Sequence, residues 1–210
     1  MATRDLTHDE LTRIYGPWIA RTPADVADLL DGYTGRWWIA GGWAIEAFTG
    51  AARQHDDVDP SIPLHELAQL RRHLAGRIDV WAAAQEVLQV LHPEDIGHDQ
   101  LPPTCGNLWA RRSGADPWEY DILLTPTEPD MWVFKRDDRI RMPIDAIVWR
   151  RDGISYLRPE IQLLHKARGL RDKDQADFDA CWPLLDQQSR RWLREAVELT
   201  QPDHPWLSAM

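Results

Sequence analysis

The stretch from Arg36 to Asp59 constrains the fold most. Arg36-Trp37-Trp38-Ile39-Ala40 is a short aromatic and β-branched run that predicts a strand, Gly41-Gly42 closes it, and Trp43 to Phe48 reads as a helix stopped at Gly50. Strand, glycine turn and helix in that order let the backbone approach a ligand closely, and free N–H groups at the positive end of the helix dipole favour a phosphate. Beyond a basic turn at Arg53 comes His55-Asp56-Asp57-Val58-Asp59, predicted to be extended, so a period of two places the Asp57 and Asp59 carboxylates on one face. Pro60 and Pro63 then predict that the strand ends early or lies at an exposed edge, because proline donates nothing to a ladder.

Paired carboxylates at this spacing suit two divalent cations, and hard Mg²⁺ takes carboxylate, water and substrate phosphate oxygens. Such a site needs a third carboxylate. Trp118 to Leu124 predicts a strand with Tyr120, Ile122 and Leu124 toward the core, which leaves Asp121 on the other side, where an unpaired carboxylate would be costly unless it held a metal. Glu119 shares that face and Asp79 is a weaker rival, so the third position stays open between them. His55 is expected to orient its neighbours rather than to react, and the eight histidines lack zinc-ligand spacing.

The ordered combination Gly41-Gly42-Trp43-Ala44-Ile45-Glu46, Arg53 to Asp59 and Glu119-Tyr120-Asp121 resembles nucleotidyltransferases of the DNA polymerase β superfamily. Within it, the small antibiotic-modifying branch of aminoglycoside 2″-O-adenylyltransferases and lincosamide nucleotidyltransferases is the most similar. The resemblance is dense over residues 36 to 62, thinner to 124, and returns at Arg158 to Arg168, Lys173-Asp174 and Asp177. It implies that Asp57 and Asp59 hold Mg²⁺, that Gly41 and Gly42 line the triphosphate of ATP, and that Asp121 acts as metal ligand or general base. It also implies that Lys166, with Lys173 a weaker candidate, contacts the β- or γ-phosphate. The implied reaction is transfer of AMP from ATP to a hydroxyl of a small acceptor, with release of pyrophosphate.

The rest of the chain predicts an α/β (α+β) fold, a mixed sheet flanked by helices with a small helical C-terminal part. Two N-terminal helices are expected, one through Leu11, Ile14 and Trp18 and one from Pro23 capped by Thr22, forming a lid on the core. A helix through Leu64, Leu67, Leu70 and Leu74 carries Arg71, Arg72 and His73 on or near its polar side. Strands follow at Ile78–Ala82, Val87–Leu91 and Leu108–Arg111, with a long, candidate functional loop over His92 to Gly106. Three helices are predicted after Pro159, and the boundary between the core (1–157) and the helical region (158–210) falls near residue 157.

A net charge of −10 over 210 residues disfavours phosphate-backbone binding, so nucleic acid is an unexpected partner and a cationic acceptor an expected one. The clusters Lys135-Arg136 with Arg139 and Arg141, Arg150-Arg151, and Arg168 to Lys173 are interleaved with aspartates and read as solvated faces. Twelve tryptophans mostly imply core, though a ring beside carboxylates can seat a cation, and Asp116 to Asp121 and Glu128 to Trp132 are expected to line an acceptor pocket. Cys105 and Cys181 suggest no disulfide framework. The longest apolar run, Trp37 to Phe48, is too short to cross a membrane, and a cytoplasmic protein is expected. Two other functions share these features: transfer to tRNA or protein, and a nucleotide-binding module without transfer.

Overall fold

Thr22 caps the helix that begins at Pro23 with a capping box. Its hydroxyl accepts from the Asp25 amide while the Asp25 carboxylate accepts from the Thr22 amide, an arrangement that stabilises a helix start by about 1 kcal/mol. The computed structural model describes residues 8–84, 87–96, 101–128 and 130–210. In chain order the elements begin with α1 (His8–Tyr15), α2 (Pro23–Leu29), β1 (Trp38–Ile39), α3 (Gly41–Thr49), β2 (Pro60–Pro63), α4 (Leu67–Leu74), β3 (Asp79–Ala84) and β4 (Val87–Leu91). They continue with β5 (Asn107–Arg111), β6 (Tyr120–Thr125), β7 (Thr127–Glu128), β8 (Met131–Val133), β9 (Arg141–Pro143), β10 (Val148–Arg151), β11 (Ile154–Leu157), α5 (Pro159–Lys166), α6 (Asp172–Cys181) and α7 (Gln187–Thr200).

The main sheet is mixed and runs β10-β11-β1-β2-β6-β5-β3-β4, with β1·β11 and β2·β6 parallel; β7, β8 and β9 form a second, small antiparallel sheet. This is the expected mixed sheet flanked by helices. Along β6, Tyr120, Ile122 and Leu124 are buried in the cluster that includes Val26, Leu67, Leu70 and Leu74, while Asp121 and Leu123 alternate to the other face. The Tyr120 hydroxyl donates to the Asp25 carbonyl at 3.4 Å, which marks α2 as packed under that face. Helix α3 packs against α5 and α6, and residues from both sides of position 157 join one hydrophobic cluster. Among the described residues no helix is long and apolar enough to cross a membrane.

Several local expectations change. Pro60 neither ends a strand nor marks an edge: it opens β2, a buried central strand between β1 and β6, so proline occupies a first-residue position and Asp59 stands just upstream of the ladder. Helix α1 stops at Tyr15, and Trp18 instead bridges to Trp118. Leu64 begins a 3₁₀ turn and is exposed. Arg71 is buried, donating to the Leu91 and His92 carbonyls at 3.0 and 2.7 Å. In the predicted long loop, Pro93–Asp95 forms a 3₁₀ turn, and part of the segment lies outside the described residues. The short strands β7 to β10 carry too few residues each for a legible period.

Candidate active site

Two short connections bring the carboxylates together. β2 and β6 run parallel with Ser61 opposite Leu123, so the same register carried two residues upstream sets Asp59 beside Asp121. The Ala40 amide donates to the Asp59 carbonyl at 2.8 Å, which ties Asp59 to the start of α3. The loop holding Asp57 is stapled onto α3. The Trp43 indole N–H donates to the Asp57 carbonyl at 3.1 Å, and the His55 ring stacks on Trp43 with centroids 4.0 Å apart. Glu46 Oε2 lies 2.7 Å from His55 Nε2 and accepts the Arg53 amide at 3.0 Å. Burial works to raise the Glu46 carboxyl, but the His55 and Arg53 bonds win and hold it below its usual range. His55 thus positions the loop, as expected.

The glycine pair serves close approach. Gly41 has φ +66° and a side chain there would meet the Asp59 carboxylate; one at Gly42 would meet the Arg53 guanidinium and His55. The Gly41 amide is already engaged, donating to Gln162 Oε1 at 2.8 Å. Gly50, left-handed at φ 72°, closes α3 by donating to the Glu46 carbonyl at 2.8 Å.

Burial comes first in raising Asp59 to about 7, followed by the charges of Asp57 and Asp121, with Lys166 and Lys173 working the other way. Asp121 is likewise raised to about 7 by burial. Its hydrogen bond from Asn107 Nδ2, at 2.8 Å, opposes the rise, Asp57 adds to it, and Trp109 and Lys135 oppose it. Among the described residues none of Asp57, Asp59 and Asp121 makes an ion pair, and no three acidic, histidine or cysteine groups are gathered closely enough to hold a metal ion by themselves. The donor set is oxygen-only and mutually repelling, with open volume around it, which fits a hard divalent cation that keeps part of its shell for water and substrate. Glu119 is buried and paired with Arg21 at 2.6 Å and Arg112 at 3.6 Å, and Asp79 sits exposed at the start of β3, so neither faces the other two carboxylates.

Three cavities meet at these carboxylates. The largest, about 720 Å³, is lined by Gly41, Gly42, Asp57, Asp59 and a cationic rim that includes Arg53, Arg168, Arg171 and Lys173. Lys166 also lines it, but its ammonium is clamped by Asp177 at 2.8 Å and Asp174 at 3.2 Å, with Arg53 and Arg171 on the same two acids at 3.6 and 2.7 Å. A second cavity, about 200 Å³, runs from Asp59 and Gly41 past Asn107, Leu123 and Trp132 to Lys135 and Arg136. The third, about 210 Å³, holds Asp56, Asp57 and Asp121 against Tyr15, Trp18 and Trp109.

The basic clusters stay exposed, as a solvated face is, and also border the cavities: the turn after β8 meets α5, where Arg136 donates to the His165 carbonyl at 3.0 Å, Lys135 and Arg136 line the second cavity, and Arg168, Arg171 and Lys173 rim the largest. One sequence expectation fails here. The expected acceptor walls are otherwise occupied: Trp118 and Trp132 are fully buried, and Asp116 and Glu128 are engaged by Ser113 and Arg141 at 2.6 and 2.9 Å. Asp121 alone of those two segments reaches the third cavity. Sequence reasoning missed as site residues the adjacent Lys135 and Arg136, Asn107 and Gln162, which come from a turn, β5 and α5 and share no spacing.

The sheet and the helices around it match the fold of two solved structures. The solution structure of the antibiotic-resistance factor ANT(2'')-Ia matches with a TM-score of 0.50 at 15% identity, covering 84% of this chain and 89% of that one. The lincomycin-bound lincosamide antibiotic adenylyltransferase LnuA matches with a TM-score of 0.50 at 14% identity, covering 77% and 95%. The family model described as aminoglycoside-2''-adenylyltransferase matches residues 24–87, which include Gly41, Gly42, Asp57 and Asp59 but not Asp121, Lys135 or Lys166. No curated protein matches the chain significantly.

Proposed function

We propose that the protein is a magnesium-dependent nucleotidyltransferase that moves AMP from ATP to a hydroxyl of a small cationic acceptor of the aminoglycoside-like antibiotic class, releasing pyrophosphate. The observation that carries this reading is the position of three carboxylates, none ion-paired, between a large cation-rimmed cavity and a small acidic one. A polyanionic triphosphate is drawn to the first and a cation to the second. Asp57, Asp59 and Asp121 would hold magnesium, two ions by the family resemblance, which would neutralise charge on the phosphates and acidify the acceptor hydroxyl.

The chain's own residues supply the rest. Gly41 and Gly42 leave room for the phosphates at the start of α3, while Arg53, Arg171 and Lys173 offset their charge. The second cavity continues from Gly41 and Asp59 and receives the nucleoside end, with Lys135 and Arg136 beside the α-phosphate. The acceptor oxygen forms a bond to the α-phosphorus as the bond from that phosphorus to the pyrophosphate oxygen breaks. The hydroxyl proton passes to Asp121, the carboxylate of β6 that lines the acceptor-side cavity.

Pyrophosphate release from Mg-ATP, measured with pooled aminoglycosides and lincosamides and separately with bulk tRNA, tests this reading. Release that requires the antibiotic pool is expected. Release only with tRNA would move the acceptor to a different class, and silence throughout would contradict transfer.

A further inference from the structure

The third cavity contains more than the reaction needs. Its carboxylates face a wall of three rings, with Trp109 edge-on to Tyr15 at 5.5 Å and to Trp18 at 5.2 Å. All three rings are only partly buried, so apolar area borders the space. The wall is fixed from behind. The Trp118 indole donates to the Tyr15 carbonyl at 2.8 Å, the Trp118 amide donates to the Pro17 carbonyl and the Ile19 amide to the Trp118 carbonyl, each at 2.9 Å, and Arg21 pairs with Glu119 at 2.6 Å. These bonds hold Tyr15 and Trp18 over β5 and β6, and they explain why the N-terminal segment leaves its helix at Tyr15.

Asp56 lines the same cavity as the rings. Its carboxylate is exposed and makes no ion pair among the described residues, and it lies outside the set that would hold magnesium. A ligand here therefore meets an apolar wall of edge-packed rings, the negative charge of Asp56 and the carboxylate of Asp121. Drug-sized ligands occupy pockets of roughly 300–1,000 Å³, so about 210 Å³ seats one ring rather than a whole antibiotic. Adenine is a poorer occupant on continuity: the second cavity shares Gly41, Asp59, Arg136, Gln162 and His165 with the cationic one, whereas the aromatic cavity shares only Asp56 and Asp57.

We propose that Tyr15, Trp18, Trp109 and Asp56 form the specificity subsite for the acceptor, and that it takes one saturated ring bearing an ammonium and a free hydroxyl. The ring's C–H face lies on the aromatic wall, the ammonium is drawn to Asp56 and to the open ring faces, and the hydroxyl points to Asp121. This assignment deepens the adenylyl-transfer reading and rests on it for the direction of the hydroxyl.

The test is binding without ATP, followed by steady-state kinetics. Calorimetric titration with tobramycin, glucosamine, glucose and spermine separates ring from charge. The amino-sugar ligands should bind more tightly than glucose, which lacks the cation, and than spermine, which lacks the ring. Trp18→Ala and Asp56→Asn should each weaken amino-sugar binding and raise the acceptor KM by roughly tenfold, with Trp18→Ala leaving the KM for ATP unchanged and Trp18→Phe restoring most of the loss. Asp56 is exposed and Trp18 half-buried, and circular dichroism verifies that the variants fold. No amino-sugar binding, binding insensitive to both substitutions, or a shift in the KM for ATP of Trp18→Ala instead would each overturn the subsite. Substitution-sensitive binding with no pyrophosphate release would leave the subsite standing and remove the transfer reading; release unaffected by the substitutions would do the reverse.

Discussion

The two sides of the carboxylate cluster are built on opposite principles. On the donor side, Arg53, Lys166, Arg171 and Lys173 come from a loop and the C-terminal helices, and they surround about 720 Å³ of mostly polar space. On the acceptor side, Tyr15, Trp18 and Trp109 come from the N-terminal segment and β5, and they enclose about 210 Å³ with Asp56 and Asp121. A flexible, highly charged ligand is held by many mobile cations, whereas a compact ring is held by shape and a single charge. The carboxylates are the one feature both sides share. Changes to them should abolish transfer, and changes to either wall should affect one substrate alone.

The largest effect belongs to that shared feature. Asp59→Asn should lower transfer by roughly three orders of magnitude, yet leave the fold intact and raise the melting temperature, because burial and the charges of Asp57 and Asp121 disfavour the native carboxylate. Retained activity would separate Asp59 from the chemistry. Lys166→Ala comes next and tests the donor wall. Removing one partner of a buried ion pair costs about 3–5 kcal/mol, so loss of the Lys166 ammonium, which leaves Asp174 only Arg171 and Asp177 only Arg53, should cause a large loss in chemical-denaturation stability. An unchanged midpoint would mean that Lys166 is free for phosphate and only incidentally near those acids.

Lys135→Ala is the contrasting donor-side change. Lys135 lines the second cavity and makes no hydrogen bond or ion pair among the described residues, and burial followed by the charges of Arg136 and Arg168 holds its ammonium below the usual range. Its loss should raise the KM for ATP by about tenfold with little change in stability, the opposite of Lys166→Ala. A change in the acceptor KM alone would place Lys135 on the wrong side of the comparison.

The last effect, read as a slope rather than as a loss of activity, is a pH dependence outside the carboxylates. Burial first, then the Arg136 and Lys135 charges, push His165 down to about 3, so the folded protein excludes a proton that the unfolded chain binds below about 6.5. His165 therefore reduces stability progressively as pH falls from 6.5 toward 3, with a limiting slope of about 1.4 kcal/mol per pH unit. His165→Gln should flatten that part of the denaturation profile relative to wild type; equal slopes would contradict the assignment.

What the sequence revealed depended on locality. Gly41-Gly42 with Asp57 and Asp59 lies within nineteen consecutive residues, and alternation along one strand separates Asp121 from Ile122, so these could be read before any fold was known. Choosing Asp121 over Glu119 required seeing that Arg21, ninety-eight residues away, pairs with Glu119. Lys135 reads as surface and is exposed, and only the meeting of its turn with α5 sets it beside the second cavity. The Trp18 wall was hidden for the same reason: its register is set by backbone bonds to Trp118, not by a helical period.

The most direct test of the account is the fate of the α-phosphorus. ATP labelled at the α-phosphorus, and in parallel at the γ-phosphorus, would be incubated with the protein, Mg²⁺ and tobramycin, and the acceptor separated and counted. The account predicts α-label on the acceptor, γ-label in pyrophosphate, and neither transfer with Asp59→Asn. γ-Label on the acceptor, or α-label transfer undiminished in Asp59→Asn, would contradict it.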